Sequence, residues 1–395
     1  MNFVKLLCLI ILASTPLSES TIYLTLLDEK YDEARCMDGT KSGYYYQASS
    51  QSSESKKWVL YLFGGGECDN MYSCQYQLNT SLGSSNYFAA NYSSSSGWYL
   101  ASDYCPYNPG FCNWNHVGVP YCSQDLHSGR VTVPTEDTWG LYFSGHIILK
   151  SILDDLDLLY NFNEATEIVV TGASAGGIGV WMNVDYIQER YPNARVTAAT
   201  IAGYYFYATY YDGVNHTDPG GMADFRESGI KSAYKLYDAY VDESCKKALE
   251  DKKLDPSACM LSNNSFPYIE VDSFAIQAQT DQTVLTGHDC FPQDYMFEPP
   301  EQQFMAEFSK NMSVALEPLL SKKGRRFIEK KRTGAFSAAC YIHGGFSNKQ
   351  PLINGINYNQ AFTNFYFNYT SLDESFYKLE DTCGVMCNPT CPITY

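Results

Sequence analysis

Basic residues are scarce in this sequence: 27 Lys and Arg stand against 44 Asp and Glu, for a formal charge of −17. A phosphate backbone would be repelled, and no arginine-rich stretch offsets that, so nucleic acid is not an expected partner. There is no CxxC pair, and no histidine lies near the closely spaced Cys383, Cys387 and Cys391. A structural zinc site is therefore the weaker of two explanations for those cysteines. No GKS or GKT follows the run Gly64-Gly65-Gly66, which argues against a phosphate cradle there. Beyond the first twenty residues no apolar run approaches 18, so no transmembrane segment is expected.

What is present points to export. In MNFVKLLCLIILASTPLSES, Lys5 precedes an apolar run, Leu6 to Ala13, that is too short for a bilayer, and Ser18 and Ser20 offer a cleavage site. Residues 1–20 read as a signal peptide, against the alternative of an apolar N-terminal core helix. The remaining 21–395 read as a single domain, with 45% of the chain apolar. Of fourteen cysteines, Cys8 leaves with the signal, and the other thirteen allow up to six disulfides with one thiol left over. Six Asn-x-Ser/Thr sites, at Asn79, Asn91, Asn215, Asn263, Asn311 and Asn368, suggest glycans on surface loops. The expected location is extracellular or the lumen of an acidic secretory compartment.

The order of elements predicts an α/β fold. TIYLTLL and KKWVLYLF read as strands, the second stopped by GGGEC. A third lies near VGVPYC, while Asn79 to Gly97 reads as a surface excursion. In GHIILKSILDDLDLLY, Ile148, Ile152, Leu156 and Leu159 share one side of a helix. EIVVTG has the β-branched look of a central parallel strand and runs into the helix IGVWMNVDYIQERYP; ARVTAATIAGYY, Ile269–Gln277 and Ser337–Ile342 supply later strands. Strands alternating with helices imply a mostly parallel sheet flanked by helices, with disulfide-rich loops.

The sharpest chemical signal is Gly172-Ala173-Ser174-Ala175-Gly176, a GxSxG pattern between a strand and a helix. A serine on that turn is thrust out of the sheet edge as a nucleophile, although the same turn can be merely structural. An acyl-transfer enzyme also needs oxyanion donors. The Ala175 amide would supply one, and amides of the glycine loop, Gly65 and Gly66, the others, unless that loop is only a turn. For the base, the order Ser, acid, His favours His343. His288 is its best rival, and His116, His127, His146 and His216 precede or closely follow the nucleophile region. Asp281 in QAQTDQTVL is a candidate acid alongside Asp272 and Asp289, which composition alone does not separate.

These residues resemble a known family, the pectin acetylesterases of plants and bacteria together with the animal carboxylesterase Notum. The resemblance runs in patches from about Trp58 to Cys391: WVLYLFGGGEC, NPGFCNWNHVGVPYCSQDLHSG, VVTGASAGGIGVWMNVD, QTDQTVL, AACYIHGGFS and YKLEDTCGVMCNPTC. It implies an α/β-hydrolase-like serine esterase with Ser174, Asp281 and His343 as the triad, and disulfide roles for Cys340, Cys383, Cys387 and Cys391. No cofactor or metal is implied, and the substrate would be an acylated carbohydrate or another ester. Three departures stand out: Phe63 where an acidic residue is usual, Glu67 where plant members have Trp, and Thr200-Ile201-Ala202-Gly203 without the usual aspartate. Three functions follow as expectations. The first is removal of O-acetyl groups from a polysaccharide such as pectin, with Trp98, Trp114, Tyr204 and Tyr205 as candidate sugar contacts and Lys322, Lys323, Arg325 and Arg326 as local offsets to the negative charge. The second is lipid or protein deacylation as by Notum, and the third an inactive binding protein on a hydrolase scaffold.

Overall fold

The computed structural model describes residues 21–93, 97–213, 222–321 and 331–392. Residues 1–20, with Cys8, and Asn215, His216, Lys322, Lys323, Arg325 and Arg326 lie outside the described residues. The chain first lays down β1 (Thr21–Leu26), β2 (Gly43–Gln47), β3 (Lys57–Leu62), α1 (Met71–Gln77), β4 (Asn91–Ser93) and β5 (Asn115–Val119). Next come α2 (Gly145–Tyr160), β6 (Glu167–Ala173), α3 (Ala175–Arg190) and β7 (Arg195–Ile201). Helices α4 (Glu227–Leu236), α5 (Glu243–Asp251) and α6 (Ser262–Ser265) lead to β8 (Asp272–Thr280), α7 (Pro299–Leu320), β9 (Thr333–Tyr341), α8 (Tyr358–Asn368) and β10 (Lys378–Glu380).

The strands form one ten-stranded sheet in the order β10-β9-β8-β7-β6-β3-β5-β2-β1-β4. Every pairing from β10 to β5 is parallel, and β2, β1 and β4 continue the sheet antiparallel. The fold is thus α/β with a mixed, mostly parallel sheet. Central strands are buried on both faces, which is why EIVVTG and KWVLYL lack polar alternation. Their side chains still divide with period two. Trp58, Leu60 and Leu62 join a core under α2, α3 and α7, while Val59 and Tyr61 join a second core with Phe362, Phe365 and Tyr366 of α8.

Two local readings need correction. The excursion from Asn79 to Gly97 contains β4, whose three residues pair with Thr21–Tyr23 and extend the sheet. The acceptor asparagines are also not confined to loops. Asn79 sits on an exposed turn, but Asn91 is on β4, Asn263 on α6, Asn311 within α7 and Asn368 at the end of α8.

Six disulfides join Cys36–Cys122, Cys68–Cys74, Cys105–Cys112, Cys245–Cys259, Cys340–Cys391 and Cys383–Cys387. Cys290, buried, stands outside them. The three closely spaced C-terminal cysteines are therefore all in disulfides. Among the described residues no His, Cys, Asp and Glu group is arranged to hold a metal ion, and no helix is long and apolar enough to cross a membrane.

Candidate active site

Parallel strands end at the same edge of the sheet, so the loops after β3, β6, β8 and β9 converge there. Ser174 occupies the turn between β6 and α3 with φ 57° and ψ −126°, a sparsely populated conformation for a residue with a side chain. Its backbone is held on both sides: its N–H donates to the Ile201 carbonyl at 2.9 Å, and its carbonyl accepts the Ile178 N–H at 3.0 Å. The turn requires its glycines. A Cβ on Gly176 would lie 2.0 Å from the Leu62 carbonyl oxygen, and one on Gly64 would lie 2.3 Å from the Ala173 carbonyl oxygen and 3.0 Å from the Ser174 Cβ. The glycine loop after β3 therefore passes directly over the serine at Gly64, while Gly65 packs against Leu82.

Asp281 follows β8 directly and is fully buried. Its Oδ1 accepts the Thr283 and Val284 amides, both at 3.1 Å, and its Oδ2 accepts the Gln277 Nε2 at 2.9 Å. His343, two residues past β9, turns Nδ1 to that carboxylate at 2.8 Å from Oδ1 and 3.0 Å from Oδ2. Burial alone would depress the imidazole pKa, but the Asp281 charge and hydrogen bond outweigh it and leave His343 above its ordinary value. Ser174 and His343 line one cavity of about 340 Å³, together with Tyr61, Phe63, Gly64, Tyr92, Trp98, Tyr99 and Ala202. Tyr205, also buried, lies near Ser174, and burial above all holds its hydroxyl well above the ordinary tyrosine pKa.

Among the described residues three rival histidines have another partner, while neither ring nitrogen of buried His116 is hydrogen-bonded. His127 Nε2 meets the Phe63 carbonyl at 2.8 Å, His146 Nδ1 meets Asn183 Oδ1 at 2.7 Å, and His288 Nδ1 meets the Ala223 carbonyl at 3.0 Å. His116 is buried in β5. Asp272, at the opposite end of β8, binds the Arg332 amide and Nε at 2.8 Å, and Asp289 accepts the Thr209 amide at 3.1 Å. Of the aromatics singled out from the sequence, Trp98 lines the cavity, whereas Trp114 packs among Phe111 and Tyr366, and Tyr204 on Trp181. Tyr61, Phe63, Tyr92 and Tyr99 were not legible as a lining. Tyr61 and Phe63 alternate along the end of β3, but Tyr92 and Tyr99 come from separate segments, and no local pattern links those to them.

Glu67, next in chain after the glycine loop, is buried. Desolvation first, then the nearby Asp69 charge, pushes its carboxyl up to about 8, against the opposing pull of the Ala223 amide. At neutral pH it keeps its proton, so it does not set a full negative charge against an oxyanion. Its Oε1 faces His288 Nε2 at 3.8 Å, and burial holds that imidazole down to about 4. The linkage has a definite sign. Unfolded, the carboxyl releases its proton near pH 4.3; folded, it retains it to about pH 8. This group's stabilising contribution is complete at low pH and is lost as pH rises through that window. Glu67→Gln should remove the loss. Relative to the variant, the wild type is expected to weaken by a few kcal/mol, on the order of one to three, between pH 5 and pH 8 in urea titrations. Parallel curves for the two proteins would show that Glu67 ionises normally.

Comparison with known proteins places these residues in context. The family model described as Pectinacetylesterase matches residues 17–392. The chain is 29% identical over 374 residues to pectin acetylesterase 5 of Arabidopsis thaliana, spanning 91% of this chain and 82% of that relative. It is 33% identical over 219 residues to the palmitoleoyl-protein carboxylesterase NOTUM of Schmidtea mediterranea, spanning 54% of this chain and 40% of that relative. The solved structure of the Wnt deacylase Notum from Drosophila superimposes with a TM-score of 0.77 at 22% identity, covering 95% of this chain and 100% of that one, a likeness of fold.

Proposed function

The chain belongs to the pectinacetylesterase family of carboxylic-ester hydrolases, and from that premise we propose that it is a serine esterase that removes O-acetyl groups from a polysaccharide such as pectin. The observation that carries this reading is the pairing of His343 Nδ1 with Asp281 at 2.8 Å, with His343 and Ser174 facing one cavity. With Nδ1 held as donor to the carboxylate, Nε2 is the nitrogen left to take the Ser174 proton. The serine oxygen attacks the ester carbonyl. Amides of Gly65, Gly66 and Ala175 receive the oxyanion, and His343 returns the proton to the departing sugar hydroxyl. Water, deprotonated by the same imidazole, then releases acetate from the acyl-serine. No metal or cofactor enters these steps.

The same proposal includes export. Residues 1–20 act as a signal peptide, 21–395 fold as one domain, and the protein works outside the cell or in an acidic secretory lumen. Six disulfides support an oxidising destination. Exposed Asn79, Asn91, Asn263 and Asn311 and half-buried Asn368 are the described glycan acceptors, with Asn215 as a sixth.

A second reading, release of a longer acyl chain, is favoured by the aromatic lining of Tyr61, Phe63, Tyr92 and Trp98. A series of p-nitrophenyl esters from C2 to C16 separates the two. Acetate is the expected optimum, with kcat/KM falling at least about tenfold by C8 as added methylenes outgrow the space at the acyl carbon. An optimum at C8 or beyond would replace the acetylesterase reading with the deacylase one.

A further inference from the structure

A second cavity, of about 320 Å³, adjoins the one that holds Ser174 and His343, and Gly97, Trp98 and Tyr99 line both. Its size falls within the roughly 300–1,000 Å³ common for small-molecule sites. Tyr99 divides the two spaces. Its φ is 49°, unusual for an aromatic residue, and its hydroxyl lies against the His343 loop, 3.2 Å from where a Cβ on Gly344 would stand. Whatever fills the outer space therefore touches the wall that also holds the histidine loop.

The outer wall is built firmly. Tyr107 lies on the loop closed by the Cys105–Cys112 disulfide and packs edge-on against Tyr104, with centroids 5.0 Å apart. The Asn348 Nδ2 donates to the Pro106 and Tyr107 carbonyls, at 3.1 and 2.6 Å, tying that loop to the segment after His343. Despite this fixed backbone, the Tyr107 ring remains 51% exposed. Both Asn348 donors are thus committed, leaving its Oδ1 as an acceptor. None of the described lining residues carries a charge.

We propose that this outer cavity is a subsite for an uncharged pyranose ring of the ester-bearing saccharide, with Tyr107 as its stacking platform and Asn348 as a hydroxyl acceptor. The inference rests on the polysaccharide reading of the site and narrows it to chains, or stretches of pectin, in which a neutral sugar neighbours the acetylated unit. A flat ring with an apolar face and a polar rim suits the C–H face of a sugar, and the Asn348 oxygen suits its hydroxyls. A uronate carboxylate would lose hydration here with no cation among the described lining to compensate. A net charge of −17 adds long-range repulsion against a polyuronate. Neutral sugar units thus bind at the outer cavity while the acetylated unit lies at Ser174.

The test is saturation-transfer NMR on Ser174→Ala protein, which cannot cleave its ligand, with xylohexaose and hexagalacturonate as separate probes. Xylohexaose should give ring-proton signals that weaken at least about fivefold when Tyr107→Ala is added and survive Tyr107→Phe, which keeps the ring face. Hexagalacturonate should give a clearly weaker signal. Equal or stronger binding of hexagalacturonate would overturn the uncharged assignment. Xylohexaose binding that ignores Tyr107→Ala, or is absent, would overturn the subsite. Thermal melting verifies the fold, and Tyr107→Leu, which keeps bulk without a flat face, replaces the alanine variant if that one unfolds. Failure of the esterase reading looks different: the wild type would then lack Ser174-dependent turnover of any ester, whatever the saccharides do.

Discussion

Ser174→Ala is expected to lose at least about 10⁴-fold in kcat on p-nitrophenyl acetate while melting at the temperature of the parent protein. The size follows from what one oxygen does in the proposed cycle. It is the attacking atom, and no other side chain can form the acyl intermediate in its place. The unchanged melting follows from the backbone. Alanine meets the same positive φ as serine, and the bonds from Ser174 N–H to Ile201 and from Ile178 N–H to Ser174 involve no side chain. The substitution therefore deletes a nucleophile without disturbing the turn that presents it. Labelling with a serine-directed fluorophosphonate gives an independent reading, with Ser174 as the labelled position. Turnover within tenfold of the parent, or a label elsewhere, would remove Ser174 from the mechanism.

Asp281→Asn should be nearly as damaging to rate, by about 10⁴-fold in kcat near neutral pH. The Asp281 oxygens accept from Thr283 N–H, Val284 N–H, Gln277 Nε2 and His343 Nδ1, so every neighbouring group is a donor. An asparagine amide must turn its own donors toward one of them. Whichever way it turns, either the backbone turn or the imidazole loses an acceptor, and the ring can settle in the wrong tautomer. A second readout separates positioning from simple misfolding. In the parent, the Asp281 carboxylate raises His343 above its usual value of about 6.5. The base must be neutral, so parent activity should fall as pH drops through that raised pKa. In the variant the residual activity should fall at a lower pH, because burial then acts unopposed. An acid limb that stays in place would show that Asp281 does not face the working histidine.

How much of this could be read from the sequence depended on how local the cause was. Ser174 was legible because strand, turn and helix are consecutive, and sterics dictate glycine at Gly176. Phe63 and Glu67 were visible as departures, but their meaning was not. Only the fold shows that Phe63 lines a cavity with Trp98, and that burial lets Glu67 keep its proton. His343 and Asp281 stand 62 residues apart in sequence and 2.8 Å apart in space, so chain order and resemblance could suggest the pair while residue type could not. β4 was missed because an edge strand such as Asn91–Ser93 is short and polar, and its pairing with β1 is settled by tertiary contact; β2, an internal strand of sequence GYYYQ, was missed because it has no apolar–polar alternation. The outer cavity was invisible for the same reason: Tyr107 and Asn348 meet only because two distant loops are tied together.

The sheet carries one more consequence. Ser174, Asp281 and His343 hang from β6, β8 and β9, in the parallel half. The walls of the two cavities are shared: one side, from Tyr61 to Tyr107, comes from the first third of the chain, and the other, including Ala202, Phe346, Asn348 and Tyr358, comes from its later parts. Chemistry and recognition are thus interleaved along the chain, with the glycine loop in the early stretch and Asn348 in the late one. Changes between Tyr61 and Tyr107 can retune one wall while Phe346, Asn348 and Tyr358 hold the other. A chimaera joined within the α2 region would therefore exchange one wall together with the glycine loop, and set both against another relative's nucleophile, base and far wall.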